Sequence, residues 1–257
     1  MLGLFFVGST IRSDDVTPVP QAHAHNDYAH ARPLIDALDH GFGSVEADIF
    51  LVGNDLLVGH SRLELKKDRT LEKLYLDPLL ERVRQHGGKV YKDGPPLVLL
   101  IDFKSTGEKT YARLREVLTR YREMLGHLEA GIWKAGAVTV VISGDRPQKT
   151  IADDAERMVG IDGRPGDLES TVASDLMPMI SESWGSLFRW RGEGPMPTGE
   201  KEKLRQFVDK AHQRGSIVRF WATPEKESLW DELRSAKVDL INTDDLPRLR
   251  SYLLSPK

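Results

Sequence analysis

A chain of 257 residues is long for an average domain but ordinary for one closed α/β barrel, and its 40% hydrophobic content suffices for one large core. Lys and Arg number 36 against 39 Asp and Glu, so the formal net charge of −3 supplies no general field for gathering nucleic acid, and no nucleic-acid partner is expected. The chain has no cysteine, which excludes disulfides, thiolate nucleophiles and cysteine-ligated zinc. Metal ligands must then come from carboxylates, histidines and carbonyls.

The apolar opening, Met1 to Val7, is too short to span a bilayer and has no basic stretch before it. It reads as the remnant of a signal peptide or as a plain tail, and a secreted or periplasmic chain is preferred over a cytoplasmic one. Ser9 to Pro20 is polar with two prolines, so residues 1–18 form a lead-in and 19–257 a single domain. A first short strand is expected from about Pro20 to His25. A helix follows from Pro33 to His40, with Pro33 suited to a first helical position and Gly41 to a stop.

Ser44 to Leu51 alternates, which puts Glu46 and Asp48 on one strand face and Val45, Ala47 and Ile49 on the other. Alternation alone fits an edge strand with one wet face equally well. Gly53-Asn54-Asp55 then turns the chain, and Leu56 to Gly59 returns as a brief strand that delivers His60. From Leu71 to His86 the apolar spacing is helical, with a break expected at Pro78. Pro96 to Ile101 is apolar on both faces, as in a strand buried within a sheet, and it ends on a third acid, Asp102. Three carboxylates converging at neighbouring strand ends would need a cation.

The remaining elements alternate. A helix is predicted from Glu108 to Leu125, a buried strand from Ala137 to Ile142, a charged helical piece from Gln148 to Ala155, and weaker strands at 157–161 and 177–181. A helix from Glu200 to Arg214, stopped by Gly215, precedes a strand from Ser216 to Trp221. A helix from Glu227 to Ala236 and a strand from Val238 to Asn242 complete the series. About eight strands separated by helices make the pattern of a single TIM-type (β/α)8 barrel. His25, Asp48, Asp102, Asp145, Trp221 and Asn242 all fall at C-terminal strand ends, where such barrels keep their working residues.

Ala24-His25, Val45-Glu46-Ala47-Asp48, Val58-Gly59-His60, Ile101-Asp102-Phe103-Lys104, Phe220-Trp221-Ala222-Thr223 and Val238 to Asp244 occur in an order that resembles the phosphatidylinositol-specific phospholipase C-like phosphodiesterases. Within that superfamily the sequence is most similar to glycerophosphodiester phosphodiesterases and sphingomyelinase D-type enzymes, over nearly the whole chain. The resemblance implies a metal-dependent phosphoric diester hydrolase or cyclising lyase acting on a glycerophosphodiester or phospholipid-like substrate. It makes Glu46, Asp48 and Asp102 ligands of one divalent cation, Mg²⁺ or Ca²⁺, His25 and His60 the acid/base pair, and Lys104 a phosphate-facing cation. Asn26-Asp27 follows His25 where glycerophosphodiesterases usually carry Arg-Gly, and Ser61 follows His60 where they usually carry Asp. Asp102 matches the sphingomyelinase D type. These departures bear on the headgroup more than on the metal chemistry.

Other residues keep two readings. Lys104 shares strand parity with Asp102 and could simply pair with it. Asn26, Arg32, Arg219, Trp221 and Asn242 are candidates for binding substrate or for satisfying buried backbone. The loop with Trp184, Phe188 and Trp190 mixes aromatic and basic residues, so it is a candidate for peripheral membrane contact or for packing over the barrel mouth. His23-Ala24-His25 also raises an amidohydrolase-type metal hydrolase, although only His212, within a helix, follows His127. A non-catalytic barrel binding lipid or sugar is the third reading.

Overall fold

In the computed structural model, which describes residues 16–256, the apolar runs become the strands β1 (Val19–Ala24), β2 (Phe42–Val52), β3 (Asp55–Val58), β4 (Leu97–Phe103), β5 (His127–Glu129), β6 (Ile132–Lys134), β7 (Val138–Gly144), β8 (Val159–Gly163), β9 (Met179–Ser183), β10 (Ile217–Trp221) and β11 (Leu240–Thr243). The parallel order β2-β4-β7-β8-β9-β10-β11-β1 closes on itself because β1 pairs with both β11 and β2. The result is a closed barrel of eight parallel strands. Its helices are α1 (Ile35–Asp39), α2 (Asp77–Gln85), α3 (Gly107–Thr119), α4 (Gln148–Asp153), α5 (Trp184–Leu187), α6 (Thr198–Gln213), α7 (Glu227–Ser235) and α8 (Leu246–Leu254).

Strand alternation divides the core in two. Val45, Ala47 and Ile49 on β2, Leu99, Ile101 and Phe103 on β4, and Val218 and Phe220 on β10 join the large cluster that includes buried helix residues. A second cluster of Leu100, Val141, Met179 and Leu240, with Val98 and Ile217 against it, fills the barrel's interior. Two residues further along the same strands come Asp102, Ser143, Ser181, Arg219 and Asn242. An apolar floor therefore underlies a polar layer, which is the arrangement that strengthens electrostatic contacts above it.

β3 folds back antiparallel on β2, from Val52↔Asp55 to Ile49↔Val58, through a turn in which Gly53 takes φ +61°. Gly59 N–H then donates to the Asp48 carbonyl at 3.1 Å, so this hairpin returns His60 beside Asp48.

Three expectations shift. Helix 71–86 is not broken at Pro78: a π-helical turn, Glu72–Leu76, runs directly into α2, whose first turn holds Pro78, so the missing N–H falls where the ladder is already widened. The strands expected at 157–161 and 177–181 begin two residues later, because the buried Arg157 pairs with Asp175 and donates to the Val159 carbonyl at 3.3 Å. The β5–β6 ribbon, turned at Ala130 and Gly131 with φ of 50° and 77°, was not expected. The export reading rests on Met1 to Val7, outside the described residues. Among the described residues no helix is long and apolar enough to cross a membrane.

Candidate active site

The deepest polar contacts lie just above the apolar floor. His23 on β1 is in register with Ser44 on β2, and its Nδ1 lies 2.7 Å from Ser44 Oγ while Nε2 lies 3.2 Å from Glu46 Oε2. Burial, helped by the Arg219 charge, pushes the His23 pKa down to about 3. His23 is thus neutral, with Nε2–H donating to Glu46 and Nδ1 accepting from Ser44. Across the barrel Arg219 Nε donates to Asn242 Oδ1 at 2.8 Å, and its terminal nitrogen pairs with Glu46. Burial works against a charge on Glu46, but Arg219 and then the His23 hydrogen bond outweigh it and hold the carboxyl well below its usual range.

Nearer the mouth, Asp48 on β2 is in register with Asp102 on β4. Lys104 Nζ is 3.1 Å from Asp48 Oδ2 and also pairs with Asp102. The Tyr28 hydroxyl lies 2.8 Å from Asp48 Oδ2, 2.6 Å from Asn26 Oδ1 and 3.2 Å from His60 Nδ1, and His60 Nδ1 is 3.2 Å from Asp48 Oδ2. Burial first and the Glu46 charge second push Asp48 up to about 6, against Lys104 and Tyr28. Its other oxygen, Oδ1, is buried without a hydrogen-bond partner.

His25, one residue past β1, places Nδ1 2.9 Å from Asp244 Oδ1, with Asn26 Nδ2 at 3.1 Å. Burial disfavours its charge, but the Asp244 hydrogen bond and the Glu46 charge more than compensate, and its pKa is raised. Asn26 sits in the left-handed region, φ 48°, which asparagine tolerates better than most residues. His25 and His60 line one cavity of about 270 Å³ with Asp102, Lys104, Arg219 and Trp221.

Of the residues singled out in the sequence, His25, Asn26, Glu46, Asp48, His60, Asp102, Lys104, Arg219, Trp221 and Asn242 are brought to this mouth or directly beneath it. Arg32 is not: its guanidinium reaches Asp36 and Asp39 on the protein surface. Of the two readings kept for the aromatic loop, membrane contact or packing, the burial of its rings favours packing. Trp184, Phe188 and Trp190 are buried, with Trp184 and Phe188 packed on each other and edge-on to Phe220, and both indole N–H groups donating to carbonyls. Asp145 accepts the N–H of Gly107, the first residue of α3, at 2.9 Å. His23 and His25, on which the amidohydrolase reading relied, are engaged by different carboxylates. Sequence reasoning missed the Tyr28 hub, which directly follows the quoted Asn26-Asp27, and the Asp244 partner of His25, which ends a quoted motif.

The metal expectation needs restating. Among the described residues no three His, Asp or Glu side chains are gathered so as to hold an ion as they stand. Glu46 is taken by Arg219, and Lys104 occupies the approach to Asp48 and Asp102. The donor set still fits a hard cation, since all the candidate ligands are oxygens and Asp48 Oδ1 is an unmatched buried acceptor.

Two histidines, a carboxylate row and several cations at the C-terminal mouth of a closed parallel barrel make a phosphodiesterase-type barrel. The family model described as AIM6-like phosphodiesterase domain matches residues 10–162, and that described as Glycerophosphoryl diester phosphodiesterase family matches residues 218–247. Altered inheritance of mitochondria protein 6 of Eremothecium gossypii is 30% identical, covering 93% of this chain and 70% of its own length. The homolog of that name in Arthroderma benhamiae is 29% identical, covering 92% and 84%. A glycerophosphodiester phosphodiesterase crystal structure from Parabacteroides distasonis shares the fold with a TM-score of 0.55 at 15% identity, covering 91% of this chain and 96% of that one. Another from Agrobacterium tumefaciens gives 0.52 at 12%, covering 90% and 98%. The chain belongs to the AIM6-like phosphodiesterase domain family.

Proposed function

We propose that the protein is a phosphoric diester hydrolase, or a lyase releasing a cyclic phosphate, acting on a glycerophosphodiester or phospholipid-like substrate. The observation that carries this reading is the placement of His25 and His60 on one small cavity whose wall also bears Lys104 and Arg219. A phosphodiester monoanion repels nucleophiles, and cations at the wall offset that charge. Asp244 engages His25 Nδ1 and leaves Nε2 for the substrate, while the raised pKa keeps the ring protonated closer to neutrality; His25 therefore serves as the acid that protonates the leaving oxygen. Asp48 and Tyr28 engage His60 Nδ1, which leaves Nε2 to take the proton of the attacking hydroxyl. A divalent cation, magnesium or calcium, held by Asp48 and Asp102 with Glu46 behind them, would supply Lewis-acid neutralisation of the phosphate oxygens.

When the substrate carries a hydroxyl beside its phosphate, that oxygen attacks phosphorus, the leaving alcohol departs with the proton from His25, and a cyclic phosphate results. An intramolecular nucleophile outcompetes water because effective molarities of well-oriented groups reach about 10⁵ M. Turnover of a panel of glycerophosphodiesters, lysophospholipids and sphingomyelin, with and without chelator, tests the reading. At least one diester should be cleaved, with cleavage lost in chelator. Bound diester with no cleavage of any panel member, in the presence of either metal, would favour a non-catalytic barrel.

A further inference from the structure

Three cationic side chains line the cavity, and they differ in how far their donors are used. Lys104 is shared by Asp48 and Asp102, and Arg219 is spent on Glu46 and Asn242 with its side chain 4% exposed. The third, Arg164, stands one residue past β8, four strands round the barrel from β1, so it faces the cavity from the side opposite His25. Its NH1 is filled, donating to Asp162 Oδ2 at 2.7 Å, the Gly163 carbonyl at 2.9 Å, Ser181 Oγ at 3.0 Å and the Asp162 carbonyl at 3.4 Å, whereas NH2 has one looser contact, Ser143 Oγ at 3.3 Å.

Asp162 is built to hold this guanidinium. It is fully buried inside the barrel and accepts from Ser143 Oγ at 3.0 Å and Ser181 Oγ at 2.6 Å, so strands on either side fix its orientation. The Arg164 backbone N–H is tied to Asp167 at 2.8 Å. A second arginine stands near: burial and then the Arg164 charge lower the pKa of Arg146, whose Nε is buried without a partner. A rigid fork held by its NH1, with NH2 left on one loose contact, is suited to an anion.

We propose that Arg164 grips a nonbridging oxygen of the substrate phosphate, with Asp162 as its positioning residue. This rests on the phosphodiester reading above and specifies the recognised group as a monoanionic diester. The phosphate is then bracketed between Arg164 and His25, which orients its leaving oxygen toward the acid.

The test is calorimetric binding of diethyl phosphate, a diester anion, and of triethyl phosphate, its neutral analogue, in chelator so that no dication contributes. The parent should prefer diethyl phosphate. Arg164→Met should weaken that binding about tenfold or more, the range expected for a lost charged hydrogen bond, while Arg164→Lys restores part of it. Asp162→Asn should weaken it severalfold and raise KM for a cleaved diester more than it lowers kcat. Melting temperatures report whether the variants fold, and because Arg164→Met leaves the buried Asp162 without its counterion, the double variant Arg164→Met/Asp162→Asn is measured beside it and should lose the anion preference equally. Parent-like diethyl phosphate binding by Arg164→Met, or no preference for the anion in the parent, overturns the proposal. If the Arg164 dependence holds but no diester is cleaved, the hydrolase reading fails and the anion fork stands.

Discussion

Asp48 and Asp102 stand side by side in register on adjacent strands, and a single ammonium, that of Lys104, serves both carboxylates. Their mutual repulsion is thus balanced by one charge against two.

Lys104→Met should therefore destabilise the fold by about 2 kcal/mol, less than for a fully buried pair because Lys104 is partly exposed. The loss should be larger at pH 8 than at pH 5. With a folded pKa raised to about 6, Asp48 can discharge by taking a proton in acid, and removing Lys104 raises that pKa further. Thermal melts at both pH values check this, and added magnesium should recover part of the loss at pH 8. Identical melting temperatures for variant and parent would contradict it.

Asp27 is buried under Leu34 N–H and the Tyr75 hydroxyl at 2.5 and 2.9 Å, and burial pushes it up to about 7 despite both donors. A carboxyl with a raised folded pKa contributes stability that is complete below about pH 4, declines as pH rises, and is gone above about pH 7. By linkage the span is on the order of 4 kcal/mol. Asp27→Asn cannot titrate, so its melting temperature should fall less than the parent's between pH 4 and pH 8. Parallel curves would show that Asp27 is not the group responsible.

Tyr28→Phe removes the hydroxyl at the junction of Asn26, Asp48 and His60. About 1 kcal/mol of stability should be lost with that hydrogen bond. Turnover should fall about tenfold, because Asp48 and His60 lose a shared anchor. Denaturant melts and kcat on a cleaved diester measure the two effects separately. An unchanged kcat would remove Tyr28 from the positioning of His60.

The barrel was legible because its apolar runs recur between helical stretches, and the alternation put Glu46 and Asp48 on one face, which barrel closure makes the inner one. Harder to read were the charges that answer them. Arg219 meets Glu46 across 173 residues of sequence, a pairing set by barrel closure and not by local pattern. Asp162-Gly163-Arg164-Pro165 looks like a turn, and only the register Asp162↔Met179 turns its carboxylate inward. The loop with Trp184 and Phe188 left membrane contact and packing both open, because only the fold brings Phe220 beside them, where both rings meet it edge-on. Arg32 and Asp36, four apart, pair locally as helix-surface neighbours do, which the search for pocket residues overlooked.

The most direct test of the account follows phosphorus NMR over time on a diester with a hydroxyl beside its phosphate, using the parent, His25→Ala and His60→Ala. The parent should form a cyclic phosphate at early times, each variant should be slower by about a hundredfold or more, and methylating the substrate hydroxyl should slow the parent comparably. An intact diester with the parent enzyme and either metal, or parent-like turnover by His60→Ala, would contradict it.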